Sequence, residues 1–232
     1  MINIKNKFQI FLFLILSNIL YSQLVVKWEL KENNEKAIIK IYNESKQNVI
    51  IPIDLKSFQA YFINIYNNSE WDKKYPFLAF KINVFDKISK NRVEINTSTP
   101  YLDISNFEKD RLKLDSITKN YESKINIWKK NNITLSNSEA QLNYYIIENL
   151  IYLKPNESLE FSILFDLRNI TNQDNAIHYS YILEKNKSYT LFLSLHVKND
   201  VYNYLTSYQK RKLKKYKLFT GSLESNKIEL KQ

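Results

Sequence analysis

Cysteine is absent from the 232 residues, and glycine occurs once, at Gly221. Without cysteine the chain has no disulfide, no thiol nucleophile and no thiolate metal ligand. A single glycine excludes phosphate-binding loops, dinucleotide-binding fingerprints and nucleophile elbows, because each of these motifs requires more than one. The fold must therefore be held by burial and hydrogen bonding. Asparagine is expected to occupy the turns that need a left-handed backbone.

Histidine is also scarce, with only His178 and His196 in the sequence. The two do not have the spacing of a metal-binding pair, and no serine lies in a catalytic-triad signature. Carboxylates that could act in pairs show no diagnostic spacing; they are Asp54, Asp72, Asp86, Asp103, Glu148 and Asp166. We therefore predict that the protein is not an enzyme and has no catalytic residue, metal site or cofactor.

The first 22 residues have the pattern of a secretory signal peptide. Lys5 and Lys7 precede an apolar run at residues 8–20, and Ser22 places a small residue before an expected cleavage between Ser22 and Gln23. The run is shorter than the roughly 20 residues of a membrane span. We expect an exported protein that is periplasmic, outer-membrane-associated or secreted. The alternative is an uncleaved N-terminal anchor.

The composition indicates a folded, basic chain. Hydrophobic residues make up 44% and aromatic residues 14% of the sequence, which is enough apolar surface to build a core. The formal net charge is +10 at pH 7, and removal of Lys5 and Lys7 with the signal peptide leaves +8. Such a balance suits a protein that meets anionic surfaces. A composition rich in lysine and asparagine is also what an AT-rich genome produces.

Most of the chain after residue 22 alternates apolar and polar residues, which is the period of a half-buried β-strand. The predicted strands are residues 24–30, 36–42, 48–53, 57–65, 77–85, 159–167, 189–197 and 225–230. Residues 32–35 are predicted to form a hairpin turn. Pro52 predicts an edge position or a bulge, because proline cannot donate to a β-ladder.

Two stretches depart from this period. Residues 106–131 carry Leu114, Ile117, Tyr121, Ile125 and Trp128 at spacings of three and four, which predicts a helix. Residues 200–217 predict a second, shorter helix, and residues 142–153 fit a helix or a strand equally well. The simplest arrangement is a single mainly β domain over residues 23–232, a β-sandwich with a helical insertion near 106–131 and a basic insertion near 200–217.

The basic segment, residues 210–217, is the densest run of charge. Its cations are Lys210, Arg211, Lys212, Lys214, Lys215 and Lys217. Tyrosines are interleaved with it, at positions 202, 204, 208 and 216. The segment fits a solvated face, or a contact with the phosphate groups of a lipid or lipopolysaccharide surface. Export argues against nucleic acid as the partner.

Several segments resemble small exported immunoglobulin-like proteins of Gram-negative bacteria related to the flavobacteria. They are Tyr21-Ser22-Gln23 and residues 36–53, 154–167, 185–195 and 221–230. Residues 36–53 and 154–167 also resemble strands of intracellular proteinase-inhibitor-like domains, in which a Pro-x-Glu-Ser turn precedes an alternating strand. Tyr189 occupies the place of the corner tyrosine of such sandwiches. The resemblance implies an antiparallel immunoglobulin-like β-sandwich and an exported address, and it identifies no functional residue.

Three functional hypotheses follow. The first is a non-enzymatic exported protein that binds another macromolecule or supports the cell envelope, with an unknown protein or envelope component as partner. The second is a protein that associates with an anionic membrane surface or lipopolysaccharide through the basic segment. The third is an inhibitor of a secreted protease.

Overall fold

A computed structural model describes residues 24–61, 77–98, 107–170 and 178–231 of the chain. The predicted signal peptide and its cleavage site at Ser22 and Gln23 lie outside these residues. Within the described ranges the protein is mainly β, with several sheets, one of which curls into a half-barrel. The strands are β1 Leu24–Lys31, β2 Lys36–Asn43, β3 Val49–Pro52, β4 Asp54–Ala60, β5 Ala79–Asp86, β6 Ile95–Ser98, β7 Leu150–Leu153, β8 Ser158–Leu164, β9 His178–Tyr181, β10 Ser188–Val197, β11 Lys217–Leu218, β12 Gly221–Glu224 and β13 Ile228–Lys231.

The first sheet has three antiparallel strands in the order β1-β2-β8. Its hairpin between β1 and β2 turns at residues 32–35, as predicted, with positive φ at Glu32, Asn33 and Asn34. Ala37, Ile39 and Ile41 of β2 are fully buried, so the alternation in the sequence does place one face in the core.

The second sheet has the order β12-β10-β5-β4, and β13 pairs with the other half of β10. Strand β10 lies at its centre. The alternation predicted for residues 189–197 is confirmed, because the five apolar residues of one face are all buried: Tyr189, Leu191, Leu193, Leu195 and Val197. The ring of Phe165 contacts the rings of Trp28 in the first sheet and Phe58 in the second, and the buried residues of both sheets form one hydrophobic cluster.

Two smaller sheets complete the β structure of the described residues, in the orders β11-β3-β7 and β6-β9. Pro52 ends β3, which is the central strand of its sheet and not the predicted edge strand. Proline is accommodated because β11 pairs only with Val49 and Ile50, so Pro52 has a partner strand on one side alone, opposite Leu150 of β7. The pairs β4–β5 and β3–β11 are parallel. For these pairs the expectation of a purely antiparallel arrangement is wrong.

Two α-helices interrupt the strands in the middle of the chain. Helix α1, Phe107–Asn131, confirms the prediction from apolar spacing, and it packs on α2, Asn137–Glu148. The ambiguous residues 142–153 contain both structures, since α2 ends at Glu148 and β7 begins at Leu150. A capping box between Ser136 and Glu139 starts α2.

The predicted helix at 200–217 is shorter than expected. The region consists of a 3-10 helix at Asn199–Tyr204, helix α3 at Ser207–Leu213, and β11. The break between the two helices has a local cause, because Thr206 starts α3 through a capping box with Gln209. Tyr216 then leads the chain into the parallel pairing of β11 with β3.

Candidate functional site

The basic segment lies at the surface, and all six of its predicted cations are exposed. Lys210, Arg211 and Lys212 belong to the last turn of α3, Lys214 and Lys215 follow it, and Lys217 is the first residue of β11. Cations near a helix C-terminus also interact favourably with the helix dipole, so a part of this charge has a structural use. Only Leu213, in the middle of the run, is buried, and it anchors the segment to the core.

Hydrogen bonds hold the backbone of the basic segment in place on both sides. Before it, the Gln209 side chain accepts a hydrogen bond from the Thr206 backbone N–H (2.7 Å) and donates one to Asn143 Oδ1 (3.0 Å). At its last residue, the Lys217 N–H donates to the Asn48 carbonyl (2.8 Å), and just beyond it the Phe219 carbonyl accepts from the buried Tyr202 hydroxyl (2.6 Å). The six cations therefore extend from a fixed stretch of backbone.

Tyrosine rings flank these cations. The Lys212 ammonium lies 4.5 Å from the ring centroid of Tyr208, and the Lys215 ammonium lies 5.2 Å from that of Tyr216. Tyr216 in turn packs edge-on against Tyr152 of β7, with centroids 5.3 Å apart. Tyr152 and Tyr208 are 49% and 58% exposed, so large amphipathic rings stand beside the charges. Sequence reasoning missed Tyr152, because only the β3–β7 and β3–β11 pairings bring it to this surface.

The charge of the basic segment is not neutralised by carboxylates among the described residues. Ion pairs occur elsewhere on the surface, such as Lys87 with Glu229 at 2.7 Å and Lys187 with Glu184 at 2.6 Å. None of the ion pairs between described residues includes a cation of the segment. Six exposed cations close together produce a positive potential, which attracts anions and weakens as salt rises.

His196 and Asp54, two further candidates from the sequence, form hydrogen bonds with neighbouring residues. His196 is exposed on β10, and its Nδ1 lies 2.8 Å from the Ser222 hydroxyl. The Asp54 carboxylate accepts hydrogen bonds from the Tyr145 hydroxyl (2.9 Å) and from the Lys56 N–H (2.9 Å). In the part of the chain that the structure describes, no three histidine, aspartate or glutamate residues are grouped so that they could hold a metal ion.

No protein family, curated protein or solved structure matches the chain in comparisons of sequence and fold. Among the described residues, none of the helices has the length and apolar character needed to cross a membrane. The basic segment is thus characterised by its own geometry: exposed cations, flanking tyrosines and a fixed backbone.

Proposed function

We propose that this chain is an exported, non-enzymatic immunoglobulin-like β-sandwich protein that associates with an anionic envelope surface through the basic segment. The observation that carries the proposal is the exposure of all six cations without an ion-pair partner among the described residues. The flanking tyrosines and the fixed backbone add to it.

Strand order supports the immunoglobulin-like part of the proposal. An immunoglobulin sandwich has strands A, B and E in one sheet and G, F and C in the other. The orders β1-β2-β8 and β12-β10-β5 correspond to these when β1 is taken as strand A and β10 as strand F. On this assignment the two helices fall between strands C and E, and the parallel strand β4 is an addition at the edge next to C.

A hydrogen bond at the start of β10 gives independent support to the proposed immunoglobulin-like sandwich. The Tyr189 hydroxyl accepts a hydrogen bond from the Glu184 backbone N–H at 2.8 Å, five residues upstream. A tyrosine near the start of strand F that bonds back to the preceding backbone is a feature of immunoglobulin-like sandwiches. Tyr189 is almost fully buried, so the bond lies at the edge of the core.

Membrane electrostatics favour a lipid or lipopolysaccharide surface as the partner. Anionic headgroups attract clustered lysine and arginine side chains within a Debye length of the surface. Tyrosine rings such as Tyr208 and Tyr152 suit the headgroup region, because one end of the ring is apolar and the other is polar. The basic segment offers both kinds of side chain on one stretch of surface.

Vesicle co-sedimentation tests the proposal. The chain without its predicted signal peptide, residues 23–232, is mixed at low salt with phosphatidylcholine vesicles, with vesicles that also contain phosphatidylglycerol, and with vesicles that contain lipopolysaccharide. We expect binding only when an anionic component is present, and a loss of at least tenfold in affinity on raising the salt to physiological strength. Comparison of the two anionic preparations identifies the source of the phosphate groups.

A charge-reversal variant assigns the binding to the basic segment. Replacing Lys210, Lys212, Lys214 and Lys215 by glutamate should abolish sedimentation with anionic vesicles. The matched control replaces four other exposed lysines by glutamate, at Lys40, Lys119, Lys124 and Lys130, and alters the net charge equally. Equal losses in both variants would mean that net charge alone causes the binding, and the proposal would then be rejected.

Export and cleavage of the signal peptide are tested separately. Expression of the full chain in a Gram-negative host, followed by intact-mass measurement of the protein in the periplasmic and outer-membrane fractions, should give a product that begins at Gln23. Recovery of an uncleaved chain from the cytoplasm would contradict export.

A further inference from the structure

The outer face of the second sheet carries aromatic rings where polar side chains are usual. Phe85 of β5 and Phe192 of β10 alternate with core residues of their strands, so they point away from the hydrophobic core. Their rings stack with centroids 5.9 Å apart and planes at 9°, and both rings remain partly exposed. A stacked pair of phenyl rings at the surface forms a flat apolar platform.

This platform is the floor of an open depression of about 640 Å³. Thr190 and Ile228 line it beside the rings, and Lys90, Lys227 and Glu229 stand at its rim. The volume lies within the range of roughly 300 to 1,000 Å³ that holds small organic ligands. The depression and the basic segment share no residue.

The charge at the rim is mainly positive. The Lys227 ammonium lies 5.8 Å from the ring centroid of Phe192, which places a cation over the platform. Glu229 is the rim's carboxylate, and Lys87 binds it at 2.7 Å. The hydrogen bond from Lys87, with the nearby charges of Lys231 and Lys90, holds the pKa of Glu229 below its usual range. This carboxylate stays ionised and is paired with Lys87, so Lys90 and Lys227 leave an excess of positive charge around the depression.

The positive potential continues along the same face of the sheet. The Arg92 guanidinium lies over the Phe85 ring at 5.1 Å and over the Tyr61 ring at 4.3 Å. Burial and the charges of Arg92 and Lys198 lower the pKa of Lys81 on β5. An anion near these groups would relieve their mutual repulsion.

We propose that the depression binds a small organic anion, whose flat apolar face lies on the rings of Phe85 and Phe192 while its anionic oxygens contact Lys227 and Lys90. Two ligand sources share this chemistry. One is an aromatic carboxylate. The other is an acidic sugar of the uronic acid type, whose C–H face packs on aromatic rings and whose carboxylate binds lysine.

Calorimetric titration of the full chain with four probes tests the proposal. The probes are 2-naphthoate, trigalacturonate, inorganic phosphate and 2-naphthalenemethanol, which present respectively an aromatic acid, an acidic sugar, an anion alone and an apolar ring alone. We expect one of the first two to bind at least tenfold more tightly than both of the single-character probes. Which of the two binds identifies the ligand source. If neither does, the proposal is overturned.

Two variants locate the binding. Phe192→Ser removes half of the platform, and Lys227→Glu reverses the rim charge in the connection between β12 and β13 without altering a strand. Each variant should lower the affinity for the probe that binds the wild type by at least tenfold. The matched controls Tyr42→Ser and Lys40→Glu lie on β2 of the other sheet and should leave affinity unchanged. If Phe192→Ser does not fold, Lys227→Glu decides alone, and wild-type affinity in that variant would overturn the proposal.

Discussion

The side-chain amide of Asn226 pairs with the backbone of Trp28 in the way that a neighbouring strand would. Asn226 Oδ1 accepts a hydrogen bond from the Trp28 N–H at 2.8 Å, and Asn226 Nδ2 donates one to the Trp28 carbonyl at 3.0 Å. The Trp28 indole N–H donates in turn to the Asn226 carbonyl at 3.0 Å. Strand β1 is the outer strand of its sheet, so this pairing satisfies backbone groups at an edge that would otherwise be open.

Replacing Asn226 by alanine should destabilise the protein. The variant leaves the N–H and the carbonyl of Trp28 without partners beside a nearly buried side chain, and each loss of this kind costs about 1–3 kcal/mol. A shift of about 2–4 °C in the melting temperature is expected for each kcal/mol in a chain of this size. Thermal unfolding followed by circular dichroism measures it. The exposed Asn48→Ala is the control, and a melting temperature equal in the two variants would refute the role of the amide.

Asn143 connects the helices to the start of the basic segment. Its buried amide donates to the Tyr204 carbonyl (2.7 Å) and to Gln209 Oε1 (2.7 Å), and its oxygen accepts from the Trp128 indole N–H (2.9 Å). Asn143→Leu keeps the branched shape of the side chain but removes every one of these bonds. We expect a loss of more than about 3 kcal/mol in the free energy of unfolding, because several buried polar groups lose partners together.

Urea unfolding followed by tryptophan fluorescence measures the effect of Asn143→Leu on the free energy of unfolding. Gln141→Leu, on the same helix and half-buried, is the matched control. A comparable loss of stability in the control would show that leucine at this helix surface, rather than the hydrogen-bond network, causes the effect.

Tyr189→Phe tests the corner hydrogen bond. The variant keeps the ring in the core and removes only the hydroxyl that pairs with the Glu184 N–H. Loss of one such bond should lower the free energy of unfolding by about 1 kcal/mol. Tyr208→Phe makes the same chemical change on a 58% exposed ring and should leave stability unchanged. Chemical unfolding of both variants separates the two cases, and a neutral Tyr189→Phe would remove the support that this bond lends to the proposed immunoglobulin-like assignment.

Strands that lie half-buried were the part of the fold that the sequence predicted well. In β2 and β10 the buried face alternates residue by residue, so period-two counting finds both the strand and its core side. Residues 142–153 could not be assigned in this way, because a helix and a strand meet at Asn149 within a mostly apolar run that holds no period of its own. The parallel pairing of β4 with β5 leaves no mark in either strand, since a pairing direction depends on the path of the chain between them.

The two candidate sites differ in how far sequence could predict them. The cations of the basic segment are adjacent in the chain, so their proximity follows from the sequence itself. The depression depends on Phe85 and Phe192, which are distant in sequence and meet only because β5 pairs with β10. Alternation along each strand is enough to place each ring on the outer face, but it does not tell that the two rings meet.

Alkaline pH should destabilise the protein through Tyr144. Burial, reinforced by the Glu148 carboxylate, raises the pKa of Tyr144 to about 12 from an ordinary value of 10.0, and its ring packs between Tyr121 and Trp128. The folded state therefore keeps the phenol protonated at a pH at which the unfolded chain has released the proton. The contribution of the Tyr144 phenol to the free energy of unfolding is fully present below pH 10 and is lost as the pH rises from 10 towards 12.

Tyr144→Phe removes that titration, so its urea midpoint should fall less than that of the wild type between pH 9 and pH 11. The quantity to compare is the slope of the urea midpoint against pH, because removing the hydroxyl also alters stability at neutral pH. Tyr208→Phe should retain the wild-type slope, because its ring is exposed. An absorbance titration at 295 nm checks the same group directly: the folded Tyr144→Phe variant should lack one phenol that ionises near pH 12. Parallel declines in wild type and Tyr144→Phe would instead assign the alkaline loss of stability to other groups, of which the buried Tyr181 and Tyr202, whose pKa values are also raised by burial, are the next to substitute.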